Sequence, residues 1–188
     1  VRRGLYIDYN SLLTCTSCTM SNNYDGLFMY YSSSSTFNDC TMTGNTNCGI
    51  SLAENSHNAV YSGVTCSSNL YGLYSYTPDR SFNFDESAIA FADNGSDIAV
   101  GEGRIYSTQT WNYYANGYAI LGSVWIGNNS PKLTVAPGNT IKVKQGCRIY
   151  VGDWSGGQLY AVGTAASPIT FTSPSATRSK TTEYHLKT

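Results

Sequence analysis

The chain has 188 residues, a formal net charge of −1 and only 12% charged residues, well below the roughly 25% of ordinary globular chains. Near-neutrality leaves no electrostatic footprint for nucleic acid or for an anionic membrane surface. No apolar run approaches the ~18 residues that a membrane-spanning helix needs. Ser, Thr, Asn, Gly and Tyr fill the polar positions instead.

The first residues, Val1-Arg2-Arg3-Gly4-Leu5-Tyr6-Ile7, already read as the middle of a strand-rich unit. The expectation is a processed chain or a piece of a longer one. From Cys18 onward one pattern recurs. With Asn23 as a marker, apolar residues stand three and five places before it (Met20, Cys18) and four and six after it (Leu27, Met29). Copies follow at Cys40, Met42, Asn45, Ile50, Leu52; at Val64, Cys66, Asn69, Leu73, Ser75; and at Ile89, Phe91, Asn94, Ile98, Val100. A fifth reads Trp111, Tyr113, Asn116, Ile120, Gly122. The markers are spaced 22, 24, 25 and 22 residues apart.

Self-similarity at this period signals stacked repeats. The i, i+2 apolar spacing on both sides of each Asn is strand periodicity. A unit this short cannot hold a strand and a crossover helix, which need roughly 30 residues. The pattern therefore predicts an all-β, right-handed parallel β-helix solenoid of about seven coils of 22–25 residues. Coils stack at about 4.8 Å, so three internal columns are expected. The first is Leu5, Leu27, Ile50, Leu73 and Ile98. The second is Met20, Met42, Cys66, Phe91 and Tyr113, and the third Cys18, Cys40, Val64, Ile89 and Trp111. The Asn residues form the corner, where Asn tolerates left-handed backbone and stacked amides can bond along the axis.

The far sheet is assigned Leu12, Leu13 and Cys15 in the first coil, Phe37 in the second, and Ala59 and Tyr61 in the third. Thr77-Pro78-Asp79-Arg80 reads as an inserted turn, with Phe82 and Phe84 alternating as a strand behind it. Residues 1–122 form the regular coils, residues 123–172 variant coils of the same solenoid, and residues 173–188 a polar tail or linker. In the variant part, strands are expected at 124–126, 133–135, 141–143, 147–151, 158–162 and 169–172, with Lys142 and Lys144 facing out.

The run Leu133 to Val143 (LTVAPGNTIKV), then Ile149-Tyr150-Val151, then Leu159 to Thr172, resembles the coil module of right-handed parallel β-helix proteins found in large secreted and surface proteins of bacteria and archaea. Residues 1–122 resemble pectate-lyase-like β-helix repeats. The resemblance implies a secreted or surface placement and a choice among polysaccharide-cleaving enzymes, tailspikes, adhesins and inert stalks. In that family the Pro-Ile-Thr-Phe-Thr type of coil usually precedes the regular repeats. Here it follows them, as in a segment of a longer array or a subunit whose ends meet neighbours.

Catalytic patterns are sparse. The pectinolytic motifs Asn-Thr-Asp, Asp-Asp, Gly-His-Gly and Arg-Ile-Lys are absent. Asp79-Arg80 and Asp85-Glu86 are the best carboxylate candidates for the acid–base pair of a glycosidase, and solvated turn charges are the simpler account. His57 and His185 are the two histidines, too far apart to suggest a zinc centre. Gly101-Glu102-Gly103 lacks the strand–helix context of a phosphate cradle. Cys15-Thr16-Ser17-Cys18 has a C-x-x-C spacing without a second pair. The stacked cysteines fit either buried thiols or bridges between adjacent coils. Asn94-Gly95-Ser96 and Asn128-Asn129-Ser130 fit glycosylation sequons.

Aromatics are the more informative surface feature. Tyr6, Phe28 and Tyr74 alternate with inward residues, and Tyr30 and Tyr76 take the next outward place, so coil stacking predicts an external stripe. Such a stripe suits a sugar chain or another protein surface. The sequence thus favours a non-catalytic structural segment, without cofactor or metal, that self-associates through coil ends or continues into a longer chain. The alternative is a carbohydrate-binding or polysaccharide-degrading β-helix protein.

Overall fold

The computed structural model describes residues 2–9, 11–31, 35–53, 59–79, 88–152 and 155–173. The expected Phe82–Phe84 strand, Arg80, Asp85, Glu86, His57, His185 and all of the 173–188 tail except Ser173 lie outside the described residues.

The chain winds through three short strands per turn. In order these are β1 (Arg3–Asp8), β2 (Thr14–Thr16) and β3 (Thr19–Ser21), then β4 (Asp25–Tyr30), β5 (Thr36–Asn38) and β6 (Thr41–Thr43). The third winding holds β7 (Cys48–Leu52), β8 (Val60–Ser62) and β9 (Val64–Ser67), and the fourth β10 (Tyr71–Ser75) and β11 (Ile89–Ala92). Next come β12 (Ser96–Val100), β13 (Gly103–Ile105) and β14 (Gln109–Trp111), then β15 (Tyr118–Ile120), β16 (Val124–Ile126) and β17 (Lys132–Val135). Finally, β18 (Thr140–Val143), β19 (Ile149–Val151) and β20 (Gln158–Ala161) lead into β21 (Thr170–Thr172).

Each strand pairs in parallel with its counterpart one winding away. The longest sheet runs β1-β4-β7-β10-β12-β15-β18-β21. The other faces split into shorter sheets, β2-β5-β8 and β3-β6-β9-β11 early, then β13-β16-β19 and β14-β17-β20 late. Because a β-to-β parallel crossover is right-handed for twisted strands, the winding hand follows from the backbone's own chirality.

One turn cannot bury its apolar face alone, so the core exists only through stacking. Leu5, Leu27, Ile50, Leu73 and Ile98 pair successively in register, as their spacing predicts. Ile7, Met29, Leu52 and Val100 form a second buried file along the same sheet. Phe37 and Tyr61 stack inside the far sheet with ring centroids 5.7 Å apart. Leu12, assigned to that sheet, is instead exposed.

Two corners per winding are made by single left-handed residues. One file is Ser17, Asp39 and Gly63, with φ of 53°, 49° and 62°; the other is Asn22, Gly44, Ser68 and Asp93, with φ of 58°, 64°, 56° and 53°. Left-handed backbone crowds a Cβ, so short polar residues and glycine hold these places. The residue preceding Asn23, Asn45, Asn69 and Asn94 therefore makes the turn, and the marker itself serves a different end. Asn45 Oδ1 accepts the Asn23 N–H at 3.0 Å, Asn69 Oδ1 the Asn45 N–H at 2.9 Å, and Asn94 Oδ1 the Asn69 N–H at 3.1 Å. Their Nδ2 groups donate to the carbonyls of Met20, Met42 and Cys66. Amide bonds amide along the axis, Asn45 to Asn69 at 3.0 Å and Asn69 to Asn94 at 3.2 Å.

A file of glycines that the pattern above does not use, Gly4, Gly26, Gly49 and Gly72, runs beside this ladder. A Cβ on Gly49 would stand 2.7 Å from the Gly72 carbonyl and 2.9 Å from Asn69 Nδ2. Only glycine lets the next winding approach that closely.

The fifth repeat departs from the sequence alignment. Ile98 pairs with Tyr118, only twenty residues on, and Ile120 follows Val100. Trp111, not Tyr113, continues the inner file: Trp111 is fully buried and Tyr113 exposed. Tyr114 takes the marker's place, its N–H donating to Asn139 Oδ1 at 3.3 Å while Asn139 Nδ2 reaches the Trp111 carbonyl at 3.4 Å. The cause is Tyr118. Its ring lies in the core stacked on Trp111 at 4.9 Å, and its hydroxyl donates to the Asn112 carbonyl at 2.9 Å, so a residue that counts as outward in a polar pattern is satisfied inside. Asn116 instead joins Asp97, which stands in the glycine file. The Asp97 carboxylate is buried and accepts from Asn94 Nδ2, Asn116 Nδ2 and the Asn116 N–H. Later windings keep their expected strands. The last return, from Ile141 to Phe171, takes 30 residues rather than 22–25.

Candidate functional site

The outward face of the eight-stranded sheet carries the chemistry. Along its middle, Tyr6, Phe28, Ser51, Tyr74, Ala99, Ala119 and Lys142 succeed one another in register. Ser51 is the gap in the aromatic stripe. Tyr76, on the next outward place, leans across it to meet the Phe28 ring edge-on at 6.1 Å, while packing on Tyr74 at 4.6 Å.

The predicted stripe is thus one packed cluster rather than a row of free rings. Tyr6 stacks on Phe28 at 5.3 Å and 13°. The Arg3 guanidinium sits 3.5 Å from the Phe28 ring centre and 3.7 Å from the Asp25 carboxylate, which also accepts from Asn47 Nδ2 at 2.8 Å. Phe28 is therefore only 5% exposed, a correction to its expected role as a free contact surface. Tyr6 at 46% and Tyr76 at 40% remain accessible, and Tyr74 is half-buried. Tyr30 belongs to a separate patch, edge-on to Tyr9 at 5.5 Å and to Tyr31 at 4.7 Å.

Burial controls the acidity of this patch. Desolvation, followed by the nearby Tyr76 and Cys48, pushes the Tyr74 phenol up to about 12. Tyr76 is raised for the same first reason, then by Asp25 and Cys48. Because the folded value lies above the ordinary one near 10, Tyr74 contributes stability that is complete below pH ~10 and is lost as pH climbs through that value towards 12. A spectrophotometric phenolate titration of Tyr74→Phe is expected to lose a late-titrating phenol. Loss from the early class would contradict the packing described.

A groove of about 610 Å³ is walled by Asn47, Leu70, Tyr71, Ala119, Leu121 and Lys144. Lys142 crosses it, and its ammonium is spent on the wall: it donates to the carbonyls of Gly95 at 2.6 Å and Asn116 at 2.9 Å and to Ser96 Oγ at 3.1 Å. Burial lowers the Lys142 ammonium from its usual range, against the pull of Asp97.

Three of the described carboxylates are committed to structural contacts. Asp79 Oδ1 accepts the Tyr106 and Ser107 N–H groups at 2.7 and 3.0 Å, so it ties the inserted turn to the next winding. Asp25 and Asp97 are committed as above. Among the described residues no three His, Cys, Asp or Glu side chains are grouped to hold a metal ion. Asn94, the first sequon asparagine, is buried in the ladder, whereas Asn128 is exposed.

Parallel strands stacked winding upon winding, an internal amide ladder and files of like residues define the class: the chain is a right-handed parallel β-helix repeat protein. Over residues 1–90 it is similar to a family described as periplasmic copper-binding protein (NosD), whose model matches that stretch. That description agrees, at a coarse level, with a placement outside the cytoplasm. No curated protein and no solved structure matches the chain.

Proposed function

We propose that the chain is a non-catalytic structural segment of an extracytoplasmic β-helix protein, a stalk, shaft or self-associating fibre unit. The observation that carries this is the state of the last winding. Its inward files stop half-covered: Phe171, stacked on Ile141, is 48% exposed, and Leu159 and Ile149 are only partly buried. Val162 at 71% adds to that apolar end. Among the described residues nothing pairs with the outer edges of β19, β20 and β21. Such an edge templates further strand pairing, by another copy of the chain or by continuation of the same one.

Sedimentation over graded concentrations tests the self-association. Association is expected to deepen with concentration and to weaken in Phe171→Asp and Leu159→Asp. A strictly monomeric species at every concentration would sink it.

A second reading, glycan binding along the outer face, is favoured by the accessible Tyr6 and Tyr76 rings. It requires binding to a glycan array that disappears in Tyr74→Ala and Tyr76→Ala. The copper of the matching family's description is left to that family, because no three His, Cys, Asp or Glu side chains are grouped among the described residues.

A further inference from the structure

The C-x-x-C segment finds no use in the stalk or in the glycan groove, yet the fold gives it an unusual setting. Cys15 lies in β2 and Cys18 just ahead of β3, and the left-handed Ser17 folds the chain between them. The turn sets the two side chains on one corner, and Cys18 Sγ donates to the Thr16 carbonyl at 3.4 Å. Both residues are partly exposed, which lets a small reagent reach this corner. Cys40, one winding on, is the positional twin of Cys18 but differs in access. It is fully buried, with Sγ 3.3 Å from the Asn38 carbonyl and 3.6 Å from that of Cys15. All six thiols are free in the structure.

We propose that Cys15 and Cys18 are a paired dithiol that closes to a reversible disulfide by exchange with a disulfide-bearing oxidant. The Cys18 thiolate attacks one sulfur of the oxidant RS–SR, forming a mixed disulfide and releasing RS⁻, which takes up the proton that Cys18 has lost. The Cys15 thiolate then attacks the Cys18 sulfur, expelling the second RS⁻, which is protonated in turn. Two protein thiols are oxidised to one disulfide, and RS–SR is reduced to two RSH. Burial, reinforced by Cys18 alongside, pushes the Cys15 thiol up, which suits it to the second, intramolecular attack, where proximity compensates for a small thiolate fraction. Cys40 takes no part, since its Sγ is held in the core against the carbonyls of Asn38 and Cys15. The bond would lock the corner between β2 and β3, and the oxidising conditions outside the cytoplasm are those in which such bonds persist.

Oxidised glutathione is the probe. Folded wild-type protein, treated and then alkylated under denaturing conditions, is expected to lose two of its six thiols and to retain no glutathione. Peptide mapping should place the bond between Cys15 and Cys18, and dithiothreitol should restore both thiols. Cys15→Ser should hold one glutathione on Cys18, and Cys40→Ser should behave as wild type. Six remaining thiols, a persistent glutathione adduct on the wild type, or a bond mapped to Cys18–Cys40 would each overturn the proposal. The wild-type measurement stands without any variant having to fold.

Discussion

Replacing Asn69 by Ala is expected to cost about 3–5 kcal/mol of unfolding free energy. The Asn45 N–H and the Met42 carbonyl both lose their partner in a dry interior, and each buried group left unsatisfied costs roughly 1–3 kcal/mol. The amide contacts to Asn45 and Asn94 go as well. Asn69→Asp keeps the acceptor but removes the donor, and it sets a carboxylate against the Met42 carbonyl and Asn94 Oδ1, so it should be no milder. Thr46→Ala, at an exposed position on the same corner, serves as the control and should change stability by less than about 0.5 kcal/mol. Denaturant titration followed by far-ultraviolet circular dichroism gives all three values. Because each winding contacts only its neighbours, hydrogen exchange should show the loss concentrated in the second to fourth windings. A penalty below about 1 kcal/mol for Asn69→Ala would mean that water or a shifted carbonyl replaces the ladder.

Trp111→Ala should be comparably severe, about 3–5 kcal/mol, the usual range for truncating a buried Trp or Phe. Among the described residues Trp111 is the largest fully buried side chain, packed face to face on Tyr118, and it sits where the early corner sheet has ended at β11 and a new one begins at β14. At that junction continuity between the two parts of the stack rests on the eight-stranded sheet and on side chains, so the loss should also uncouple them. The expected sign is a single unfolding transition that broadens or splits in Trp111→Ala. Trp125 stacks on Tyr150 at the surface, so the variant should also lose the blue-shifted part of the tryptophan emission. An unchanged, sharp transition would place the weakest point of the stack elsewhere.

Much of the architecture was legible before any coordinate. The i, i+2 apolar pairs around Asn23, Asn45, Asn69 and Asn94 determined strand type, winding length and register, because in-register parallel stacking puts like residues against like and leaves a periodic trace. The axial amide bonds followed from the same alignment. The Gly4, Gly26, Gly49 and Gly72 file was also present as a signal, one residue ahead of the Leu5 column, and its meaning is close backbone approach.

The tertiary structure decided what periodicity alone does not encode. In the fifth winding the alignment on Asn116 and Ile120 gave way to one with Tyr114 in the marker's place and Tyr118 turned inward. The choice fell to the volume of Trp111 and to a carbonyl within reach of the Tyr118 hydroxyl, neither of which a hydropathy pattern contains. Outward alternation likewise set Phe28 on the outer face, but its burial depended on Arg3 and Tyr6 from the first winding and Tyr76 from the fourth. The setting of the cysteines is of the same kind: spacing does not say that Cys40 is buried while Cys15 and Cys18 stay partly exposed. Local pattern sets which way a side chain points, and only the assembled stack sets what covers it.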